Sequence, residues 1–182
     1  MCYNTSDNNL QNHNQKKSLL FISIADSKFE NYIIDILQNQ FEVTHSYDQL
    51  LTEAPDLILV DVQRLKELEP EIQKAKEKAA SVFLPLVVFV ENPREHIPEY
   101  VLDFADEMIP VPTPDEILHV RIKTVLKSRN YCLELNRNYE ELEKKNQQLN
   151  LYADAINATT SGITITEVRD DENPIVFCND AF

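Results

Sequence analysis

Glycine is almost missing from this chain, since Gly162 is the only one among 182 residues. Phosphate-binding loops of the P-loop and Rossmann kinds need two or three glycines, because the backbone must approach the phosphate closely and often at positive φ. The cysteines, Cys2, Cys132 and Cys178, are odd in number and scattered, which gives neither a disulfide framework nor paired zinc-ligand spacing. These absences argue against nucleotide-loop enzymes and indicate a reducing environment.

Basic residues are also scarce, because 17 Lys and Arg stand against 31 Asp and Glu, for a formal net charge of −14. Such a surface repels phosphate backbones and anionic lipids, so we expect no binding to nucleic acid or to membranes. No apolar run approaches the roughly 18 residues of a membrane span, and the first residues are too polar for a signal peptide. Hydrophobic residues still make up 43% of the chain, which is enough for a packed core. We expect a cytoplasmic protein.

The pattern of apolar residues divides the chain into a tail and an α/β region. Residues 1–17 are rich in Asn, Gln and Ser, which predicts a disordered tail. Over residues 18–127, five short apolar runs alternate with five amphipathic segments, which predicts βα units and a doubly wound, parallel five-stranded sheet with helices on both faces. Functional residues in such sheets lie beyond the carboxyl ends of the strands. In this chain those ends are Asp26, Asp61, Val90 or Glu91, and Val111.

The last helix continues far beyond the α/β region. No proline or glycine interrupts residues 117–157, a length of about 60 Å at about 1.5 Å per residue. Mostly apolar residues recur every seven positions in two rows. The first row contains Leu135, Leu142, Leu149 and Ile156, and the second contains Cys132, Tyr139, Asn146 and Ala153. This spacing is typical of a two-stranded coiled coil, in which a polar residue such as Asn146 fixes the register. We predict a parallel homodimeric coil over residues 128–157, and a single helix packed on its own domain is the alternative.

Residues 158–182 return to strand-like patterning. Residues 162–168 and 174–179 alternate in polarity on either side of a turn-like segment, which predicts a β-hairpin. An isolated hairpin is only marginally stable in water. We therefore expect this segment to be the front part of a larger domain.

Residues 18–126 resemble the receiver domain of two-component response regulators, which has a flavodoxin-like fold. Residues 55–62 (PDLILVDV) look like the third strand of that family, whose terminal aspartate accepts a phosphoryl group; this makes Asp61 the phosphoacceptor candidate. Residues 104–122 resemble the family's run from the fifth strand into the last helix. The resemblance implies phosphorelay signal transduction and an interaction with a histidine kinase or another signalling protein.

The acidic site of the family is reduced in this sequence. Working receivers hold Mg²⁺ with the acceptor aspartate and two acids after the first strand. Ala25 replaces the first of these acids and Asp26 keeps the second. A shift of one residue instead places Ile24 and Ala25 at the pair, which removes both acids. The resemblance therefore implies at most a weak Mg²⁺ site, formed by Asp26 and Asp61 if the chain is phosphorylated.

The positions that contact the phosphoryl group are also changed. A Ser or Thr after the fourth strand and a Lys after the fifth normally do so, and in this sequence these positions are Val90 and Val111. Asp61 then has a simpler interpretation, as a residue that is solvated or that caps the next helix. Our hypothesis is a pseudo-receiver, not itself an enzyme, that signals by protein contact. A phosphorylation-competent response regulator and a purely structural dimerisation or docking domain remain as alternatives.

The end of the chain is similar to the opening strands of PAS sensor domains. The residues that carry this similarity are Gly162, residues 173–175 (NPI) and residues 179–182 (NDAF). The sequence of residues 171–182 is similar to that of flavin-binding LOV domains in particular. The resemblance implies a sensor that the coil joins to the receiver-like domain, with any flavin held by a part that this sequence does not contain. Cys178 is not expected to be the photoreactive cysteine of LOV domains, which belongs to a later segment.

Overall fold

The computed structural model of the chain describes residues 17–79, 82–91, 97–169 and 173–182. The predicted tail, apart from Lys17, lies outside these ranges. The chain divides into two compact units, Met1–Cys132 and Leu133–Phe182. Within the described ranges, no helix is long and apolar enough to cross a membrane.

The first unit contains a five-stranded sheet in which every adjacent pair of strands is parallel. The strands are β1 (Leu19–Ser23), β2 (Glu42–Thr44), β3 (Leu57–Asp61), β4 (Leu86–Val90) and β5 (Glu107–Pro110). The helices are α1 (Ser27–Leu37), α2 (Tyr47–Thr52), α3 (Val62–Ala79), α4 (Glu99–Phe104) and α5 (Asp115–Asn157). The strand order β2-β1-β3-β4-β5 is the flavodoxin-like order, so the predicted doubly wound α/β fold and the long last helix are confirmed.

Both faces of the sheet are buried, because its central strands are continuous apolar runs whose side chains point alternately to the two sides. One face packs against the two helices α1 and α5, with core residues Ile33, Leu37, Leu118, Ile122 and Leu126. The other face packs against α2, α3 and α4, with core residues Leu50, Leu65, Leu68, Ile72, Ala75 and Val101. A cleft lies between these layers at the carboxyl ends of β1, β3 and β4.

A buried arginine fixes α5 at the amino-terminal edge of the sheet. Arg129 is only 7% exposed; its Nε donates to Oδ1 of Asp56 at 3.1 Å, and its Nη1 donates to the carbonyl of Phe83 at 2.6 Å. Oδ2 of Asp56 accepts a hydrogen bond from the backbone N–H of Leu19 at 3.0 Å. The helix is thus connected to the segments that precede β3 and β4 and, through Asp56, to the first residue of β1.

The second unit contains the predicted hairpin, formed by the antiparallel strands β6 (Thr164–Thr166) and β7 (Ile175–Cys178). Asn179, which is 4% exposed, connects the hairpin to the end of α5. Its Oδ1 accepts from the N–H of Ile163 at 2.7 Å, and its Nδ2 donates to the carbonyls of Ile156 at 3.1 Å and Ser161 at 3.0 Å. Gly162 lies beside this group, where a Cβ would stand 3.2 Å from the Cα of Phe182.

Candidate functional site

A cleft of about 600 Å³ lies at the carboxyl ends of β1, β3 and β4. It brings together most of the positions that the sequence singled out at strand ends, namely Ile24, Ala25, Asp26, Asp61 and Glu91. Sequence reasoning did not select the other lining residues, which include Phe29, Lys66, Glu67, Phe89 and Tyr100. Among the residues that the structure describes, four carboxylates and one lysine line this cleft, and this described lining favours cations over anions.

Both carboxylate oxygens of Asp61 are bound by backbone amides. Asp61 ends β3 and immediately precedes α3, and its Oδ1 accepts from the N–H of Arg64 at 2.7 Å. This is the geometry of a helix N-cap, in which the side chain satisfies an amide of the first turn. Oδ2 accepts from the N–H of Ala25 at 2.7 Å. Asp61 therefore holds together the start of α3 and the loop after β1, a role that requires no phosphoryl group.

Asp26 also caps a helix. Its Oδ1 accepts from the backbone N–H groups of Phe29 at 2.9 Å and Lys28 at 2.8 Å, at the start of α1. These hydrogen bonds, with that of Phe29 the larger cause, lower the pKa of Asp26 from its ordinary value. Because the pKa is lowered in the folded state, the cap stabilises the fold above the ordinary pKa, and this contribution is lost as the pH falls through the folded-state pKa.

The two acids fit Mg²⁺ poorly. This ion requires near-octahedral oxygen ligands, whereas Asp26 and Asp61 already accept hydrogen bonds from four backbone amides. Within the ranges that the structure describes, no group of three His, Cys, Asp or Glu side chains could hold a metal ion. The residues present do not form a convincing Mg²⁺ site.

The hydroxyl and lysine positions are adjacent valines in the structure. Val90 ends β4 and is 7% exposed, and its carbonyl accepts a hydrogen bond from the N–H of Val111 at 2.9 Å. Val111, which follows β5, is half-buried and lines a second cavity of about 220 Å³. Neither side chain can donate a hydrogen bond or a positive charge to a phosphoryl oxygen.

Arg64, the cation nearest to Asp61 in sequence, is bound to another acid. Its Nη1 donates to Oε2 of Glu67 at 2.6 Å, and Nε2 of Gln63 donates to Oε1 of the same carboxylate at 3.2 Å. The hydrogen bonds from Gln63 and Arg64 lower the pKa of Glu67 from its ordinary value. Glu67 therefore remains ionised and holds the guanidinium group on the surface of α3.

The predicted dimer seam lies on the solvent-facing surface of α5. Leu135, Tyr139, Leu142 and Leu149 expose between 57% and 70% of their surface, and Asn146 is also exposed. All five belong to the second unit. An ion pair of 2.6 Å joins Glu141 to Lys145 on the same helix. The stripe of large apolar residues is unpartnered within the described part of the chain.

No family model matches this chain, and no curated protein matches it. Solved structures do match. NtrX from Brucella abortus in complex with ADP is 16% identical, with a TM-score of 0.52, over 80% of this chain and 36% of that chain. The response regulator StyR is 14% identical, with a TM-score of 0.50, over 70% of this chain and 68% of that chain.

A response regulator receiver modulated diguanylate cyclase from Pelobacter carbinolicus is 18% identical, with a TM-score of 0.49, over 65% of this chain and 98% of that chain. At these identities a structural likeness concerns the fold. The strand order of the first unit and its similarity to NtrX and StyR lead to one conclusion. The chain has the flavodoxin-like fold that is found in response regulator receiver domains.

Proposed function

We propose that the chain is a two-component-type signalling module in which a degenerate receiver domain acts by protein contact, and in which a dimeric coil joins that domain to the start of a PAS-like sensor. The observation that carries the first part is the state of Asp61, whose carboxylate oxygens both accept hydrogen bonds from backbone amides, of Ala25 and Arg64. The carboxylate thus stabilises the fold in the unmodified state.

Three features of the structure oppose phosphoryl transfer to Asp61. An attacking carboxylate oxygen would give up an amide hydrogen bond of 2.7 Å. The incoming group would enter a cleft whose described lining carries four carboxylates and one lysine, Lys66. Charge on the transferring oxygens is normally neutralised by metal ions and positioned cations, and the positions that would contact it are Val90 and Val111. We therefore propose that the receiver-like domain is not phosphorylated.

Incubation of the whole chain with acetyl phosphate and Mg²⁺ is expected to leave its intact mass unchanged. Asp61→Asn, which keeps the size of the side chain, serves as the matched control. A single phosphoryl adduct that is present in the unmodified chain and absent from Asp61→Asn would establish the alternative, a phosphorylation-competent response regulator. Circular dichroism of both proteins checks that each retains its fold during the incubation.

The partner of the exposed stripe on α5 is, in our proposal, a second copy of the chain. The stripe follows the heptad spacing of a two-stranded coil, and its apolar members are more than half exposed in the single chain. Burial of such side chains between two helices contributes roughly 25 cal/mol per Å² of apolar surface. In a parallel arrangement Asn146 faces the same residue of the second copy, and so does Cys132, which lies two heptads earlier.

Asn146→Leu is expected to increase the stability of the coil and to allow other registers and oligomeric states, because the variant lacks the buried polar residue that selects the register. Sedimentation should show one dimeric species for the unmodified chain and a mixture for the variant. Gln148→Leu adds the same side chain outside the seam and should leave the dimer unchanged.

Oxidation of a Cys2→Ser, Cys178→Ser background provides a second readout, because only Cys132 can then cross-link. We expect a disulfide-linked dimer for a parallel coil, since a disulfide needs Cα atoms within about 4.4–6.8 Å. A monomer in sedimentation together with no cross-link would contradict the dimer. A dimer without the cross-link would contradict the parallel arrangement alone.

The hairpin is, in our proposal, the part of a sensor that exchanges signals with the receiver-like domain through α5. Residues of α5 belong to both units, and Asn179 binds the end of this helix within the second unit. In a protein that joins this chain to a complete PAS-like sensor and an output domain, removal of residues 18–126 should therefore change the output. An unchanged output would favour a purely structural dimerisation domain.

A further inference from the structure

We propose that the cavity of about 220 Å³ between α1 and the β5–α5 connection binds a small, uncharged, apolar molecule with the size of a single aromatic ring. This binding does not depend on dimerisation or on the hairpin, because the cavity lies wholly within the first unit. The residues that line it are Phe29, Tyr32, Ile33, Phe89, Ile109, Pro110, Val111, Pro112, Thr113 and Leu118.

The chemistry of the lining selects against charge and against water. None of the lining side chains is ionisable near neutral pH, and only Tyr32 and Thr113 carry a polar group. Both hydroxyls already have protein acceptors, since Tyr32 Oη donates to Oδ1 of Asp115 at 2.5 Å and Thr113 Oγ1 donates to the carbonyl of Pro110. A buried water needs two to four polar partners, and these two hydroxyls have already donated their protons, so only their oxygens remain, as acceptors. The cavity therefore favours an apolar occupant.

The volume sets the size of that occupant. An engineered, enclosed apolar cavity of about 150 Å³ stays dry and binds benzene or xenon; the cavity beside α1 is somewhat larger, at about 220 Å³, and opens to solvent beside Tyr32, which is 46% exposed. Sites for drug-sized ligands and cofactors usually measure about 300–1,000 Å³. A one-ring molecule fits these limits, whereas a nucleotide or a flavin does not.

The position of the cavity gives such a ligand access to the elements that carry a signal in our proposal. Val111 stands where the receiver resemblance places a lysine, and the valine makes this wall apolar. Phe29 and Phe89 meet edge to face, with ring centroids 5.4 Å apart, and they line both this cavity and the cleft at the strand ends. Leu118 belongs to the first turns of α5. A bound molecule would therefore contact the start of the helix that bears the proposed dimer seam.

Titration of the whole chain with toluene and with benzoate tests this assignment, because the two probes have similar size and differ in charge. With methyl-labelled protein, toluene should give saturable shifts of the methyl signals of Ile33, Ile109, Val111 and Leu118. Benzoate should bind at least tenfold more weakly. Equal affinity for both probes, or toluene shifts that do not saturate, would overturn the proposal.

Two variants locate the site. Val111→Phe fills the cavity and should weaken toluene binding at least tenfold, whereas Val120→Phe, at an exposed position of α5, should leave it unchanged. Methyl spectra of each variant without ligand show whether the variant is folded. If Val111→Phe does not fold, the comparison of toluene with benzoate on the unmodified protein decides the question. Unchanged binding by a folded Val111→Phe variant would place toluene elsewhere and contradict the assignment.

Discussion

Replacement of Arg129 with alanine is expected to lower the free energy of unfolding of the first unit by about 2–4 kcal/mol. The change removes the hydrogen bonds to Asp56 and to the carbonyl of Phe83, and it leaves both acceptors at the amino-terminal edge of the sheet. Loss of one partner of a buried ion pair costs about 3–5 kcal/mol. The expected loss for Arg129→Ala is smaller, because the side chain of Asp56 remains 34% exposed and can be partly solvated.

Urea unfolding followed by circular dichroism, at a fixed protein concentration, measures this effect. Arg137→Ala is the matched control, because Arg137 lies on the exposed surface of the same helix; surface substitutions of this kind usually change stability by less than about 0.5 kcal/mol. Arg129→Lys should recover little, because an ammonium group cannot reproduce the two directed contacts of a guanidinium group. Equal stability of Arg129→Ala and Arg137→Ala would show that the buried pair does not stabilise the fold.

The fold could be predicted from the sequence because each central strand is a short apolar run bounded by polar or turn-forming residues. Residues 57–61 and 86–90 are such runs, and the structure places both inside the sheet as β3 and β4. Their burial on both faces required helices on both sides, and the alternation of strands and helices made the sheet parallel. The absence of proline and glycine over residues 117–157, together with the heptad spacing, likewise predicted the long last helix.

The chemical state of the candidate site could not be predicted, because it depends on contacts between distant parts of the chain. The sequence left Asp61 as either a phosphoacceptor or a helix cap. The hydrogen bond from Ala25, 36 positions earlier, follows only from the pairing of β1 with β3. Arg129 did offer a signal, since it continues the buried row of Leu118, Ile122 and Leu126. A charged residue on that face required a buried partner, but nothing in the pattern identified Asp56, 73 positions away.

Asn179→Ala is expected to release the hairpin from the end of α5 and to reduce the amide protection of β6 and β7 by at least about tenfold. The variant leaves the N–H of Ile163 without its acceptor and removes the Nδ2 donor from the carbonyls of Ile156 and Ser161, which still accept from the hydroxyl of Thr159. An N–H group that loses its acceptor in a partly buried site costs about 1–3 kcal/mol. A two-stranded hairpin is only marginally stable without further support, so this loss is enough to open it.

Hydrogen exchange of the amides in Thr164–Thr166 and Ile175–Cys178 measures the release. Asn173→Ala, at an exposed position just before β7, should leave exchange unchanged. Asn179→Asp keeps the acceptor for Ile163 but loses the Nδ2 donor, so an intermediate effect would separate the two halves of the network. If Asn179→Ala kept full protection, the hairpin would be held by other contacts. The coupling that we propose through Ile156 and α5 would then lose its structural basis.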